Sequence, residues 1–172
     1  MRQATGKWRR LLRHLWFDEG DAHRLVSDAA LDRLQQRVKA SERLHGGEIR
    51  LCIEAGLPLS WVWRGATPRE RAVEMFGQLR VWDTEYNNGV LIYLLLAEHA
   101  IEIVADRGLN RVVPQAEWDR LLAGMREAFH AHRFEQGLMQ AIEMVERQLV
   151  LHVPLAEGAS NPNELPDRPY RA

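Results

Sequence analysis

The chain has 172 residues, of which 46% are hydrophobic and 27% are charged, and its net charge is −1. This size and mixture are typical of one globular domain with a real core, and the lack of an overall basic charge argues against a dedicated nucleic-acid binder. One cysteine, Cys52, excludes an intrachain disulfide and a cysteine-based zinc site. Because no apolar run reads as a secretory signal or a bilayer span, we expect a cytoplasmic location, with peripheral membrane contact as an option.

Residues 1–20 are predicted to form a basic amphipathic helix in front of the main domain. Its apolar residues recur at helical spacing, and its arginines fall outside that stripe. Two interpretations are open. The stripe packs on its own domain or on a partner protein, or it lies on anionic lipid with the arginines on the polar face. The stripe consists of Trp8, Leu11, Leu12, Leu15 and Trp16.

Residues 21–153 are predicted to form the main domain, in which helices and strands are mixed. Ser27 caps a first helix that ends at a glycine pair. The alternating sequence EIRLCIEA, residues 48–55, predicts a strand with one solvated face. Residues 56–67 contain two tryptophans, and we expect an apolar loop there.

The second half of the domain holds the most apolar sequence. Residues 89–96, GVLIYLLL, are apolar on both faces and predict a central strand. Their short connection to the strand at 100–105 forces an antiparallel hairpin. A helix that begins at Thr67 and Pro68 separates the first two strands, so these strands should be parallel. With two further helices, the predicted fold is α/β: a three-layer α/β/α sandwich with a small mixed sheet.

Residues 154–172 differ in composition from the domain before them. They hold four of the seven prolines and few large apolar residues. We therefore expect an extended or flexible tail.

The predicted hairpin brings two polar loops to one edge of the sheet. The residues before the second strand neighbour those after the third strand, and His45 and Glu48 start from the same edge if the first strand is parallel to the second. Carboxylate, amide and backbone oxygens are the ligands that calcium and magnesium prefer. A plainer interpretation is also open, in which the asparagines supply a turn and the acids are solvated. The candidate ligands are Asp83, Glu85, Asn87, Asn88 and Asp106.

The stretch VWDTEYNNGVLIYLLLAEHAIEIVADRGLN, residues 81–110, resembles the central motif of the TPM domain family, which is named for a thylakoid-lumen protein and its bacterial relatives. In that family an Asp/Asn-Asn-Gly-Val-Leu element opens a central strand, and a second strand ends in a glycine-containing loop that two helices follow. The resemblance covers roughly Ser27 to Val153 and implies an α/β/α sandwich. In place of the family's more usual glycine-aromatic-glycine loop, this chain has ADRGLN.

The resemblance also implies a function. It implies divalent-cation binding, with calcium reported for relatives, and a weak acid phosphatase activity proposed for a plant member. By motif it selects Asn87, Asn88 and Asp106, to which the hairpin geometry adds Asp83 and Glu85. We therefore predict a cytoplasmic bacterial member of the family that binds calcium or magnesium and acts as an interaction module.

Two alternative functions remain open at this point. In a metal-assisted phosphatase the ion would activate water, and Arg107 and Arg111 would hold the phosphate. In a membrane-surface adaptor the N-terminal helix would bind the bilayer.

Four other residues have plainer interpretations than catalysis. His45 is either a ligand or general base, or a turn residue after the first helix. His130 and His132 are expected at the surface end of a helix, and Cys52 is expected to be packed in the sheet. The sequence lacks the motifs of P-loop nucleotide-binding enzymes, zincins, serine hydrolases and Rossmann enzymes.

Overall fold

The computed structural model describes residues 2–17, 19–123, 125, 128–129, 131–156 and 158–172, with only the backbone described for residues 2–7 and 19. The strands are β1 (Glu48–Glu54), β2 (Gly89–Leu95), β3 (Ala100–Ala105) and β4 (Tyr170–Arg171). The helices are α1 (Arg2–Trp16), α2 (Glu19–Leu25), α3 (Asp28–Ser41), α4 (Leu59–Trp63), α5 (Pro68–Gln78), α6 (Arg107–Asn110), α7 (Gln115–Ala123) and α8 (Phe134–His152). A 3-10 turn, Leu96–Glu98, links β2 to β3.

The sheet has the order β3-β2-β1-β4 and contains both strand directions. β1 is parallel to β2, with Glu48 opposite Gly89, and β2 is antiparallel to β3, with Val90 opposite Ala105. Helices cover both faces, so the predicted mixed α/β sandwich and its β2–β3 hairpin are confirmed.

Two apolar clusters lie on opposite faces of the sheet, as the alternation of side chains along a strand requires. One cluster joins α2, α3, α7 and α8 to one face through residues such as Leu34, Ile92 and Trp118. The other joins α4 and α5 to the opposite face through residues such as Met75 and Tyr93. Burying each large apolar side chain contributes about 1.5–3 kcal/mol, so these two layers position the loops at the strand ends.

The prediction that one face of β1 is solvated is wrong, because all seven residues of the strand are buried. Helix α5 and the C-terminal tail cover the polar face of the strand. Arg71 of α5 pairs with Glu54 at 2.6 Å, and Arg50 Nη1 donates to two tail carbonyls, each at 2.5 Å. Glu48 Oε2 accepts a hydrogen bond from the backbone of Leu165 at 3.0 Å. An alternating pattern shows which residues share a face, but not what covers that face.

Of the two expectations for residues 154–172, extended or flexible, the described part of the tail is extended and packs on the domain through the same contacts. Tyr170 and Arg171 pair with β1, and the backbone N of Ala55 donates to the carbonyl of Ala172 at 2.8 Å. Leu165 is buried in the core on the α5 side. The tail packs with few apolar side chains because polar side chains of β1 hydrogen-bond its backbone.

The expectation of a loop at 56–67 is also corrected, because this segment contains the short helix α4. Val62 is buried, and the Arg64 guanidinium lies 3.7 Å from the centre of the Trp61 ring. Trp63 remains exposed. Among the described residues no helix is long and apolar enough to cross a bilayer.

Candidate functional site

The polar loops that the sequence brings together do meet in the structure. The backbone N of Asp106 donates to the carbonyl of Gly89 at 2.9 Å, and the backbone N of Glu48 donates to the carbonyl of Asn88 at 3.3 Å. The loops at 83–89 and 106–111 and the first residue of β1 therefore share one edge of the sheet. This group of residues is called the loop edge below.

Asn87 links the two loops directly. Its carbonyl accepts a hydrogen bond from the backbone N of Gly108 at 3.1 Å, and its Oδ1 accepts from Arg107 Nε at 3.0 Å. A β carbon on Gly108 would lie 2.4 Å from that carbonyl, so this contact requires glycine. Asn87 has a φ of +53°, a left-handed conformation that asparagine tolerates better than most residues. The turn interpretation therefore describes Asn87, and its amide oxygen is already engaged.

Three buried oxygens at the loop edge have no hydrogen-bond partner among the described residues. They are Glu48 Oε1, Asn88 Oδ1 and Asp106 Oδ2. The second polar atom of each side chain is bonded: Asp106 Oδ1 accepts from the backbone N of Arg107 at 2.6 Å, and Asn88 Nδ2 donates to the carbonyl of Gly46. A buried acceptor without a partner costs about 1–3 kcal/mol, and such groups are rare. These oxygens have the chemistry of ligands for a hard cation.

Glu48 adds an electrostatic feature that the sequence did not reveal. Burial raises the pKa of its carboxyl group, because water no longer solvates the charged form. A cation beside this group would favour the ionised form and reverse that effect. The sequence indicates only that Glu48 lies at this edge. Its burial depends on the C-terminal tail and could not be predicted.

Asp83 and Glu85 lie in the loop before β2, and both side chains are exposed. Their backbone groups order the loop: the backbone N of Asp83 donates to Arg80, and that of Glu85 donates to Glu164 Oε2 at 2.8 Å. Their role as ligands stays a prediction. Thr84 was missed, although it is buried and its Oγ1 accepts from the backbone N of Asn88 at 3.1 Å. No sequence motif marks it.

No group of three or more His, Cys, Asp or Glu side chains that could hold a metal occurs in the described part of the chain. A cation at the loop edge would therefore also need amide or backbone oxygens, which calcium and magnesium accept. The two candidate phosphate-holding residues, Arg107 and Arg111, are both exposed beside this edge.

Two of the other candidates are packed inside the domain. His45 is buried, forms an isolated antiparallel bridge with Pro154 and is hydrogen-bonded to Ser41 Oγ at 2.9 Å, and burial lowers its pKa. Cys52 is fully buried, and burial raises the pKa of its thiol, so it is a packed residue. His132 is an exposed residue that contacts the ring of His99, and His130 lies outside the described residues.

Comparison with known proteins agrees with this architecture. The TPM domain profile matches residues 20–148. The chain belongs to the TPM domain family. No curated protein matches the chain at a significant level.

Two solved structures are similar to this TPM domain. One is the NMR structure of the BA42 protein from the psychrophilic bacterium Bizionia argentinensis, with a TM-score of 0.72 and 25% identity over 86% of this chain and 95% of that one. The other is the solution NMR structure of the N-terminal domain of a protein from P. gingivalis, with a TM-score of 0.61 and 19% identity over 77% of this chain and 83% of that one. The second similarity concerns the fold alone.

Proposed function

We propose that this TPM domain binds a divalent cation, calcium or magnesium, at the loop edge and acts as an interaction module. The observation that carries the proposal is a set of three buried oxygens, Glu48 Oε1, Asn88 Oδ1 and Asp106 Oδ2, that have no hydrogen-bond partner in the described part of the chain. They come from three different strand ends that the sheet brings to one edge. A cation would satisfy acceptors that otherwise cost folding free energy.

Each residue has a specific part in this proposal. Asp106 supplies a carboxylate oxygen while its other oxygen caps α6, and Asn88 supplies an amide oxygen next to β2. Glu48 supplies a second carboxylate, whose ionised form a cation would favour. Because Asp106 caps α6 and Arg107 bonds Asn87, an ion at Asp106 would stiffen both loops at once. The stiffened loops would form the surface presented to a partner protein.

A metal-assisted phosphatase is the second candidate function. It is favoured by the exposed Arg107, whose Nε donates to Asn87 Oδ1 while the rest of its guanidinium lies on the exposed side of the loop edge. Such a guanidinium, together with Arg111, suits a phosphate oxygen beside the ion. The ion would supply an activated water.

Amide NMR titration with calcium and with magnesium tests the proposal. We expect shifts in 83–89, in 106–110 and at the start of β1, and at least about tenfold weaker binding by Asp106→Asn. This variant retains an oxygen that can cap α6 but loses the negative charge. Absence of shifts at millimolar cation, or equal binding by Asp106→Asn, would contradict the cation site.

Hydrolysis of a generic phosphomonoester then separates the two functions. A cation-dependent rate in the wild type that Asp106→Asn abolishes would support the phosphatase. Cation-induced shifts without hydrolysis above that variant would support the interaction module alone.

A further inference from the structure

Helix α1 docks on the domain through polar residues. The backbone N of Leu57 donates to His14 Nδ1 at 3.0 Å, so the ring proton lies on Nε2, which contacts Glu98 Oε1 at 2.8 Å. Arg10 donates to the same oxygen at 2.6 Å and to the carbonyl of Ala66 at 2.5 Å. Burial opposes ionisation of Glu98, but the hydrogen bonds from His14 and Arg10 outweigh it and hold its pKa below the ordinary value. The docking of α1 therefore relies little on its apolar stripe.

The predicted stripe instead faces outward, apart from the half-buried Leu11. Trp16 is 81% exposed. Trp8 contacts Trp63 edge to face, with ring centres 6.4 Å apart, and so joins α1 to α4. The resulting apolar patch consists of Trp8, Leu12, Leu15, Trp16, Leu59 and Trp63, and each of these side chains is at least 49% exposed. Scattered exposed apolar residues are ordinary, whereas a joined group of this kind marks a binding surface.

The charge around the apolar patch is of one sign. Residues 1–17 and 55–69, which contain α1 and α4, have no aspartate or glutamate, although the whole chain carries a net charge of −1. Arg9 and Arg13 are exposed and line one shallow depression with Leu12 and Trp16. The carboxylate of the nearby Glu98 is already paired with Arg10 and His14. Cations thus border the apolar patch with no carboxylate from these two segments.

We propose that the apolar patch docks this protein on the surface of an anionic phospholipid bilayer. Tryptophan and leucine side chains enter the interface between headgroups and acyl chains, while the arginines contact lipid phosphates. Charge complementarity selects this occupant over a second copy of the chain. A symmetric pairing of two such patches would bring the arginines of both copies into one interface, with no carboxylate from residues 1–17 or 55–69 to offset them.

The docked orientation keeps the loop edge away from the bilayer. The residues that hold α1, Leu57 and Glu98, follow the carboxyl ends of β1 and β2, whereas the loop edge lies at the opposite ends of these strands. β2 has seven residues, so the two sites are separated by about 20 Å along the strand. Lipid binding is therefore independent of the cation.

Flotation of the full chain with vesicles tests this surface. We expect binding to phosphatidylcholine vesicles that contain phosphatidylglycerol, and at least about tenfold weaker binding to phosphatidylcholine alone. Binding should persist in EDTA, because it does not need the cation, and it should be weaker at high salt. Asp106→Asn should float like the wild type, so a failed cation site and a failed lipid surface give different results.

Two double variants and one control locate the contact. Leu12→Ser with Trp16→Ser, and Arg9→Glu with Arg13→Glu, should each reduce binding to anionic vesicles at least about tenfold while the circular dichroism spectrum is unchanged. Leu151→Ser, which alters a side chain that is 69% exposed on α8, should float like the wild type. Failure of the wild type to float, or equal flotation of the double variants, overturns the proposal. So does a wild-type dimer that lacks vesicle binding and that Leu12→Ser with Trp16→Ser dissociates.

Discussion

A β carbon on Gly89 would lie 2.1 Å from the carbonyl oxygen of Val81. The turn after α5 and the first residue of β2 are therefore in backbone contact. Gly89 does not adopt a positive φ, unlike Asn87 two residues earlier. In the NNG sequence, asparagine thus supplies the turn, and glycine supplies the space that lets the helix layer approach the sheet.

Replacing Gly89 by alanine should destabilise the fold by at least about 2 kcal/mol, because the backbone of Val81 must move. Gly77→Ala is the matched control, since a β carbon at Gly77 in α5 meets nothing within 4 Å. That variant should be neutral or more stable by about 0.5–1 kcal/mol. Urea unfolding of both variants measures the difference, and equal free energies of unfolding would show that the contact is not tight.

Arg71→Ala should cost about 3–5 kcal/mol, because it leaves the buried carboxylate of Glu54 without its cation. Arg71 holds Glu54 through two nitrogens, at 2.9 and 2.6 Å, and Tyr93 OH donates to the same group at 2.6 Å. The control is Arg147→Ala, which breaks an exposed pair with Glu143 on α8 and should leave stability close to that of the wild type. Chemical denaturation compares the two, and a small loss for Arg71→Ala would indicate that water reaches Glu54.

Stability should decrease as the pH rises from about 7 to 9. Burial raises the pKa of Glu42 from its ordinary value near 4.5 to about 9, and burial raises the pKa of Glu48 as well. In this range these carboxyl groups bind more protons in the folded state than in the unfolded state, so the free energy of unfolding falls with increasing pH. Below about pH 7 the lowered pKa of His45 acts in the opposite direction. The contribution of Glu42 to this slope is at most about 1.4 kcal/mol per pH unit.

Glu42→Gln isolates that contribution. The variant retains an oxygen that can accept from the backbone N of Ile49, as Glu42 Oε1 does at 2.9 Å, and it cannot ionise. We expect it to be more stable than the wild type at pH 8, similar at pH 5, and less dependent on pH between them. An identical pH dependence of thermal unfolding in the two proteins would contradict a raised pKa of Glu42 in the folded state.

The hairpin and its loop edge follow from the sequence because both depend on local properties. Two apolar runs with so short a connection force an antiparallel hairpin, and any such hairpin brings the residues before the second strand next to those after the third. The environment of Glu48 could not be predicted in this way, because its partner Leu165 is more than 100 residues away and is bonded through its backbone. Side-chain periodicity contains no information about such a partner.

Helix α1 shows a second limit of periodicity. The spacing of Trp8, Leu12 and Trp16 correctly indicates that they share a face. Whether that face contacts protein depends on what the opposite face can bind. Here Glu98 and the backbone of Leu57 offer partners to Arg10 and His14, so the polar face is buried.

Removing residues 158–172 should expose the interior of β1 to solvent. This segment contains β4, which pairs with Cys52 and Ile53, and Leu165, which lies in the same apolar cluster as Cys52. Local opening of β1 should become easier, because its edge and its polar face lose their cover. The single cysteine then reports on the change: its reaction with a thiol reagent should be at least about tenfold faster than in the full chain.

Arg168→Ala is the control, because it removes an exposed ion pair between the tail and Asp32 and leaves β4 in place. It should react at the wild-type rate. Light scattering of the shortened chain should also show self-association through the open edge of β1. An unchanged thiol rate together with a monomeric shortened chain would mean that α5 alone protects this strand.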